Sequence, residues 1–325
     1  MIDFRYHLVS IIAIFLALAV GLVVGATALA PKTEIILRKA QTELSKNNAN
    51  LTKDKQALTN QVSADQSFAT ASASRLLSGL LKGEKVVLVV APGADGSVTT
   101  GVTAALRQAG AGITGTVNLS SNFLDTSGQN EATLTELAQS LAVKAGVTLP
   151  TRSASAVGGQ QDAAQVLAAT LLNPLGAAAS GGNTQAILSA FSNFLSLASG
   201  TTLAPAQLAV LVTPGGTAPQ PGSEVLVALA LALRNAGSGT VMAGAVSSIG
   251  SGSVISAEDS AGQVSTVDNA DTETGQIITV QALRLLLDGK APKQYGIGPQ
   301  SAPSPAPTPS PTASPSTSAS TGGHK

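Results

Sequence analysis

Hydrophobic positions follow four different rules in succession along this chain. Residues 8–30, LVSIIAIFLALAVGLVVGATALA, are apolar and carry no charge. At about 1.5 Å rise per residue they make a helix of roughly 34 Å, enough to cross a ~30 Å hydrocarbon core. Their Leu, Ile, Val and Phe side chains favour insertion by on the order of 4 to 8 kcal/mol. A buried core helix rarely runs this long without a polar face, so the pattern predicts a membrane span. The length also favours a retained signal anchor over a cleaved peptide, although Ala26-Thr27-Ala28 offers a small-x-small cleavage site. Arg5 precedes the span and Lys32, Arg38 and Lys39 follow it, so charge does not set the orientation. Pro31 is expected to close the helix.

From residue 32 the rule becomes a heptad. Leu37, Leu44, Leu51 and Leu58 occupy d positions, with Gln41, Asn48, Lys55 and Val62 at a. Leu at d beside polar a residues makes a coiled-coil seam whose polar layer fixes register and strand number, and a central Asn48 favours two strands. The alternative is one amphipathic helix lying on its own domain. In the preceding span Ala13, Ala17, Gly21 and Gly25 fall four apart, and Gly21-x-x-x-Gly25 allows close helix approach in lipid. Each contact raises the effective concentration for the other, which points to a parallel homodimer through residues 13–65. Helical spacing continues over 66–82, with Leu76, Leu77, Leu80 and Leu81 as an apolar patch that Gly83 ends.

The third rule is alternation of short apolar runs with amphipathic stretches. Residues 85–91, KVVLVVA, read as a buried parallel strand, and Pro92-Gly93-Ala94-Asp95-Gly96 turns it into a helix at 98–109. Further strands are predicted at 113–119, 208–213, 240–246 and 263–267, with helices at 131–144, 162–172, 184–197, 223–235 and 275–287. The fold class is therefore α/β: a doubly wound, mainly parallel sheet of about five strands in order 2-1-3-4-5, with a helical insertion. The fourth rule is none at all: after Gly298 the chain is almost wholly Pro, Ser, Thr and Ala, a solvated tail. The domain map is a transmembrane anchor (1–31), a helical stalk (32–82), an α/β domain (83–298) and a tail (299–325).

Composition then removes chemistries. Eighteen basic residues balance eighteen acidic ones, so nothing points to a nucleic-acid partner. Cysteine is absent, and the two histidines are His7 and His324. That excludes thiolate sites and a Ser-His-Asp arrangement, and leaves no metal-ligand cluster legible. No Walker A or GxSxG motif is present. The chain is expected to be no enzyme and to need no cofactor. The candidates that remain stand where open α/β sheets bind ligands, beyond the carboxyl ends of the strands. They are Asp95, Asp268, Asn269 and Asp271; turn-forming or helix-capping roles explain them equally well.

The blocks RYHLVSIIAIFLALAVGLVVG, APGAD, LRQAGAGITGTVNL, STVDNADTETGQI and YGIG resemble the mycobacterial copper transport protein B family, over nearly all of residues 1–298. The resemblance implies an actinobacterial envelope protein of copper homeostasis, described as exporting copper or forming an outer-membrane pore. It supplies no copper ligand that maps onto positions here. Few, short and continuously apolar strands also differ from the long alternating strands of a membrane barrel. The leading function is thus a membrane-anchored envelope protein in copper efflux, within an assembly and with the domain outside the cytoplasm. The alternatives are a scaffolding module with no copper contact, and a small-ligand-binding or enzymatic domain at the strand ends.

Overall fold

A computed structural model describes residues 4–150, 157–173, 183–198, 203–216, 222–250 and 252–305. The chain divides into two compact units, Met1–Asp65 and Gln66–Lys325. The first consists of most of helix α1 (Phe4–Leu77), which contains the apolar stretch Tyr6–Thr27. Pro31 does not end α1. A proline removes one donor and crowds the carbonyl four residues earlier, about 3 kcal/mol in a helix interior. Helix-forming sequence on both sides carries the hydrogen-bond ladder past that single defect.

The last turns of α1 belong to the second unit. Ala69, Ala73 and Leu77 are buried there, and Gln66 Oε1 accepts from the Glu273 amide at 3.0 Å. The helix stops at Leu77 rather than at 82. Gly79, at φ +76°, reverses the chain, and the Leu81 amide bonds to the Ala109 carbonyl instead.

The remaining elements follow as β1 (Lys85–Val90), α2 (Gly96–Gln108), β2 (Gly112–Leu119), α3 (Ser121–Leu124), α4 (Gly128–Ala145) and α5 (Gly158–Leu171). Then come α6 (Thr184–Ala190), β3 (Leu195–Leu197), β4 (Leu208–Val212), α7 (Ser223–Ala236) and β5 (Gly239–Ala243). The chain continues through α8 (Val254–Ala261), β6 (Ser265–Val267), α9 (Glu273–Leu287) and β7 (Gln294–Tyr295). The strands form one seven-stranded sheet in order β3-β2-β1-β4-β5-β6-β7, parallel except for β3. Its five central strands keep the 2-1-3-4-5 order expected from the sequence.

Both faces are buried, which is why the strands read as unbroken apolar runs. On one face Val87, Val89, Ala209, Leu211 and Met242 pack with α4, α5, α7 and the start of α8. On the other Val86, Leu88, Val210, Val212 and Val241 pack with α2, α9 and the end of α1.

Three differences from the predicted elements matter. The helix expected over 184–197 ends at Ala190; Phe191 and Phe194 turn inward, and β3 closes the open edge of β2. Helix α8 was not expected, because its apolar residues cluster at its start; Ser253 caps it by accepting from the Ser256 amide. Packing also continues beyond Gly298: Ala302 donates to the Gln294 carbonyl at 2.9 Å and pairs with Tyr295. The rest of the expected tail, from 306, lies outside the described residues.

Candidate functional site

The topological switch point lies between β1 and β4, where a doubly wound sheet usually opens a crevice. Here the two loops close on each other. The Ala91 amide donates to the Val212 carbonyl at 2.9 Å, and Ala94 forms a bridge with Pro214. Asp95 sits beside this junction, exposed, and caps α2 by accepting from the Ser97 amide at 2.8 Å. That amide bond, with the Ser97 hydroxyl second, holds the Asp95 carboxyl below its ordinary range.

The other three candidates follow β6. Strands β4 and β5 lie between β1 and β6, which at ~4.8 Å per strand sets Asp95 about 14 Å away from them. Asp271 Oδ1 accepts from the Val246 amide at 2.9 Å and so ties the β6 loop to the β5 loop. The Asn269 carbonyl accepts from the Thr272 amide at 3.0 Å and the Thr272 hydroxyl at 2.7 Å, while its side-chain oxygen is buried without a partner. Asp268 is the most enclosed, 2% exposed. Its Oδ1 accepts from the Ile297 amide at 2.8 Å, and its Oδ2 from the Gly298 amide at 2.9 Å and the Ser301 hydroxyl at 2.6 Å.

Beside Asp268 is a cavity of about 240 Å³ bounded by Ser248 and by Ile255, Ser256 and Asp259 of α8 on one side and by 298–301 on the other. Asp259 accepts from the Thr266 hydroxyl at 2.5 Å. Burial pushes its carboxyl up, and the charge of Asp268 adds to that rise. Next to it Glu258 is fully buried: Oε1 accepts from the Gln263 and Val264 amides at 2.7 and 2.5 Å, and Oε2 has no partner. Burial is again the largest influence and raises the carboxyl. Neither acid was singled out from the sequence. The adjacent Glu-Asp pair ahead of a strand is the only local signal, and an unrecognised helix hid which way it faced.

Among the described residues no three His, Cys, Asp or Glu side chains gather around one point as metal ligands. Of the acids at the sheet's carboxyl end, Asp268 and Asp271 fasten loops to one another and Asp95 caps α2. In the first unit Leu37, Leu44, Leu51 and Leu58 are 62–70% exposed, and the space around Gly21 and Gly25 is open. Asn48 is exposed on the same helix and accepts through its carbonyl from Thr52.

The family model described as "Copper transport outer membrane protein, MctB" matches residues 1–306. The chain belongs to this family. The copper transporter MctB of Mycobacterium tuberculosis strain ATCC 25618 / H37Rv is 29% identical over 248 residues, 75% of this chain and 78% of that one. The copper transporter MctB of Mycobacterium leprae strain TN is 33% identical over 255 residues, with the same coverage. The MctB match spans both units, the apolar stretch Tyr6–Thr27 included. Family membership and that stretch together make this a membrane-associated protein of the copper transport family.

Proposed function

We propose that this protein is a membrane-anchored envelope component that lowers cellular copper by contributing to its efflux. The observation that carries the reading is the family match from the anchor through the α/β unit. The unit has no catalytic part in this reading. Nor does it form the pore: its described strands make an open sheet with β1, β4 and β5 buried on both faces, unlike lipid-facing barrel strands. A strain lacking the protein should accumulate copper when loaded with the ion, and regain normal levels on complementation. No accumulation would reject the transport role.

A second reading is favoured by one observation: Asp95, Asp268 and Asp271 are each engaged in internal hydrogen bonds. The protein would then be an envelope scaffold whose effect on copper is indirect. The same strain decides between them.

The assembly we propose is a parallel homodimer through residues 13–65. Four exposed leucines in heptad register support it, since pairing with a second helix would cover them. Replacing Leu44 and Leu51 by Ala should shift detergent-solubilised protein from dimer to monomer in sedimentation, and Gly21→Ile should shift it further. A wild-type chain that sediments as a monomer at micromolar concentration would sink the idea.

A further inference from the structure

Residues 296–302 make a strap across the carboxyl end of β6. Both ends are fastened. Tyr295 is buried in β7, and the strap closes on itself through Gly296 N to Ala302 O at 3.0 Å and Ser301 N to Gly298 O at 3.0 Å. Between the ends, apolar packing contributes little, since Ile297 is 62% exposed and Pro299 and Gln300 face solvent. Among the described residues, each hydrogen bond from 297–301 to another part of the unit ends on one carboxylate, that of Asp268. The glycines belong to the same device. A Cβ at Gly296 or Gly298 would run into the Asp268 carboxylate, and Gly296 stands at φ +133°, where side chains are strained. YGIG and STVDNAD, nearly thirty residues apart in sequence, are thus the two halves of one clasp. Beneath the strap lies the cavity bounded by Ser248, Ser256 and Asp259.

We propose that residues 296–302 are a lid latched on Asp268, which opens as a unit while the sheet stays folded and so uncovers that cavity. The latch is strong for its size, because bonds to a buried carboxylate exceed neutral ones. It is also separable from the core, because nothing in the sheet's two apolar layers lies on the strap between Tyr295 and Ala302. The surface uncovered is rich in acceptors, so a group that takes the strap's place on Asp268 must bring donors of its own.

Hydrogen exchange on the full chain in detergent micelles tests this. In the wild type, the peptide covering 296–301 should exchange through a local opening, well ahead of peptides from β4 and β5. Asp268→Asn leaves at least one strap amide without its acceptor, and should speed exchange of that peptide by on the order of tenfold with β4 unchanged. Ser301→Ala removes one leg and should give a smaller acceleration. Unchanged strap exchange in Asp268→Asn, or acceleration of strap and β4 together, would overturn the lid. If the Asn variant fails to fold, the wild-type chain decides alone: strap and β4 exchanging at one common slow rate also overturns it.

Discussion

A carboxyl group buried with an unpartnered oxygen, as Glu258 is, makes the fold respond to protons in a definite direction. Burial raises its pKa above the ordinary 4.5, with the charge of Asp259 adding, while the Val264 and Gln263 amides and Arg234 pull the other way. Stability from a group whose folded pKa is raised is fully present below its unfolded pKa, and is lost as pH rises through the folded value. Asp259, raised by burial from 3.8, has the same sign. Heating the full chain at a series of pH values from about 4 to 8 should therefore show a component of the midpoint that falls as pH rises. Glu258→Gln removes that component, so the variant's curve should be flatter than the wild type's. Parallel curves would show that the buried carboxyl bears no such load. Exposed acids such as Asp95, held low by the Ser97 amide, act in the opposite sense and cancel in the comparison.

Helix α1 does two jobs along one hydrophobic stripe, and single leucines can separate them. Leu77 is fully buried with Val98, Val102 and Leu106 of α2, whereas Leu51 is 67% exposed. Truncating a buried leucine typically costs about 2–5 kcal/mol through lost transfer energy and the cavity left behind. Leu77→Ala should destabilise the α/β unit by that order and lower its unfolding midpoint. Leu51→Ala should leave the midpoint where it was and act only on self-association. Circular dichroism and sedimentation on the same two variants read both effects, and equal destabilisation would mean Leu51 is covered within the chain itself. The heptad spacing showed that leucines line one side of this helix. That the stripe stays exposed to Val62 and turns inward from Ala69 depended on α2 and α9, which no local pattern near residue 69 announces.

For the molecule as a whole, the copper-efflux reading turns on the side of the membrane on which the α/β unit works. Positive residues flank Tyr6–Thr27 on both sides, so insertion chemistry does not decide. The copper-efflux reading requires the unit outside the cytoplasm. Protease added to spheroplasts should then digest epitopes in 83–298 while sparing the amino end. Full protection would place the unit inside and remove the premise of an envelope role.

What the sequence determined by itself were the properties set by neighbours in the chain. A run of apolar residues long enough for a bilayer, leucines every seven positions and β-branched runs bounded by glycine each state a burial requirement locally. Two-sided burial in turn requires helices on both faces of the sheet, so the α/β class and the central strand order were legible. The acids were a different matter. Asp268 reads as a turn residue because Asp is common in turns, and nothing near it shows that its three donors come from residues 29, 30 and 33 positions further on. The same holds for the edge strand β3, which forms because β2 has an unpaired side, and for Asp95, which the sheet order sets three strands away from the acids it was grouped with. Hydrogen bonds to a buried carboxylate depend on which loops share a sheet end, and only the tertiary structure brings those loops together.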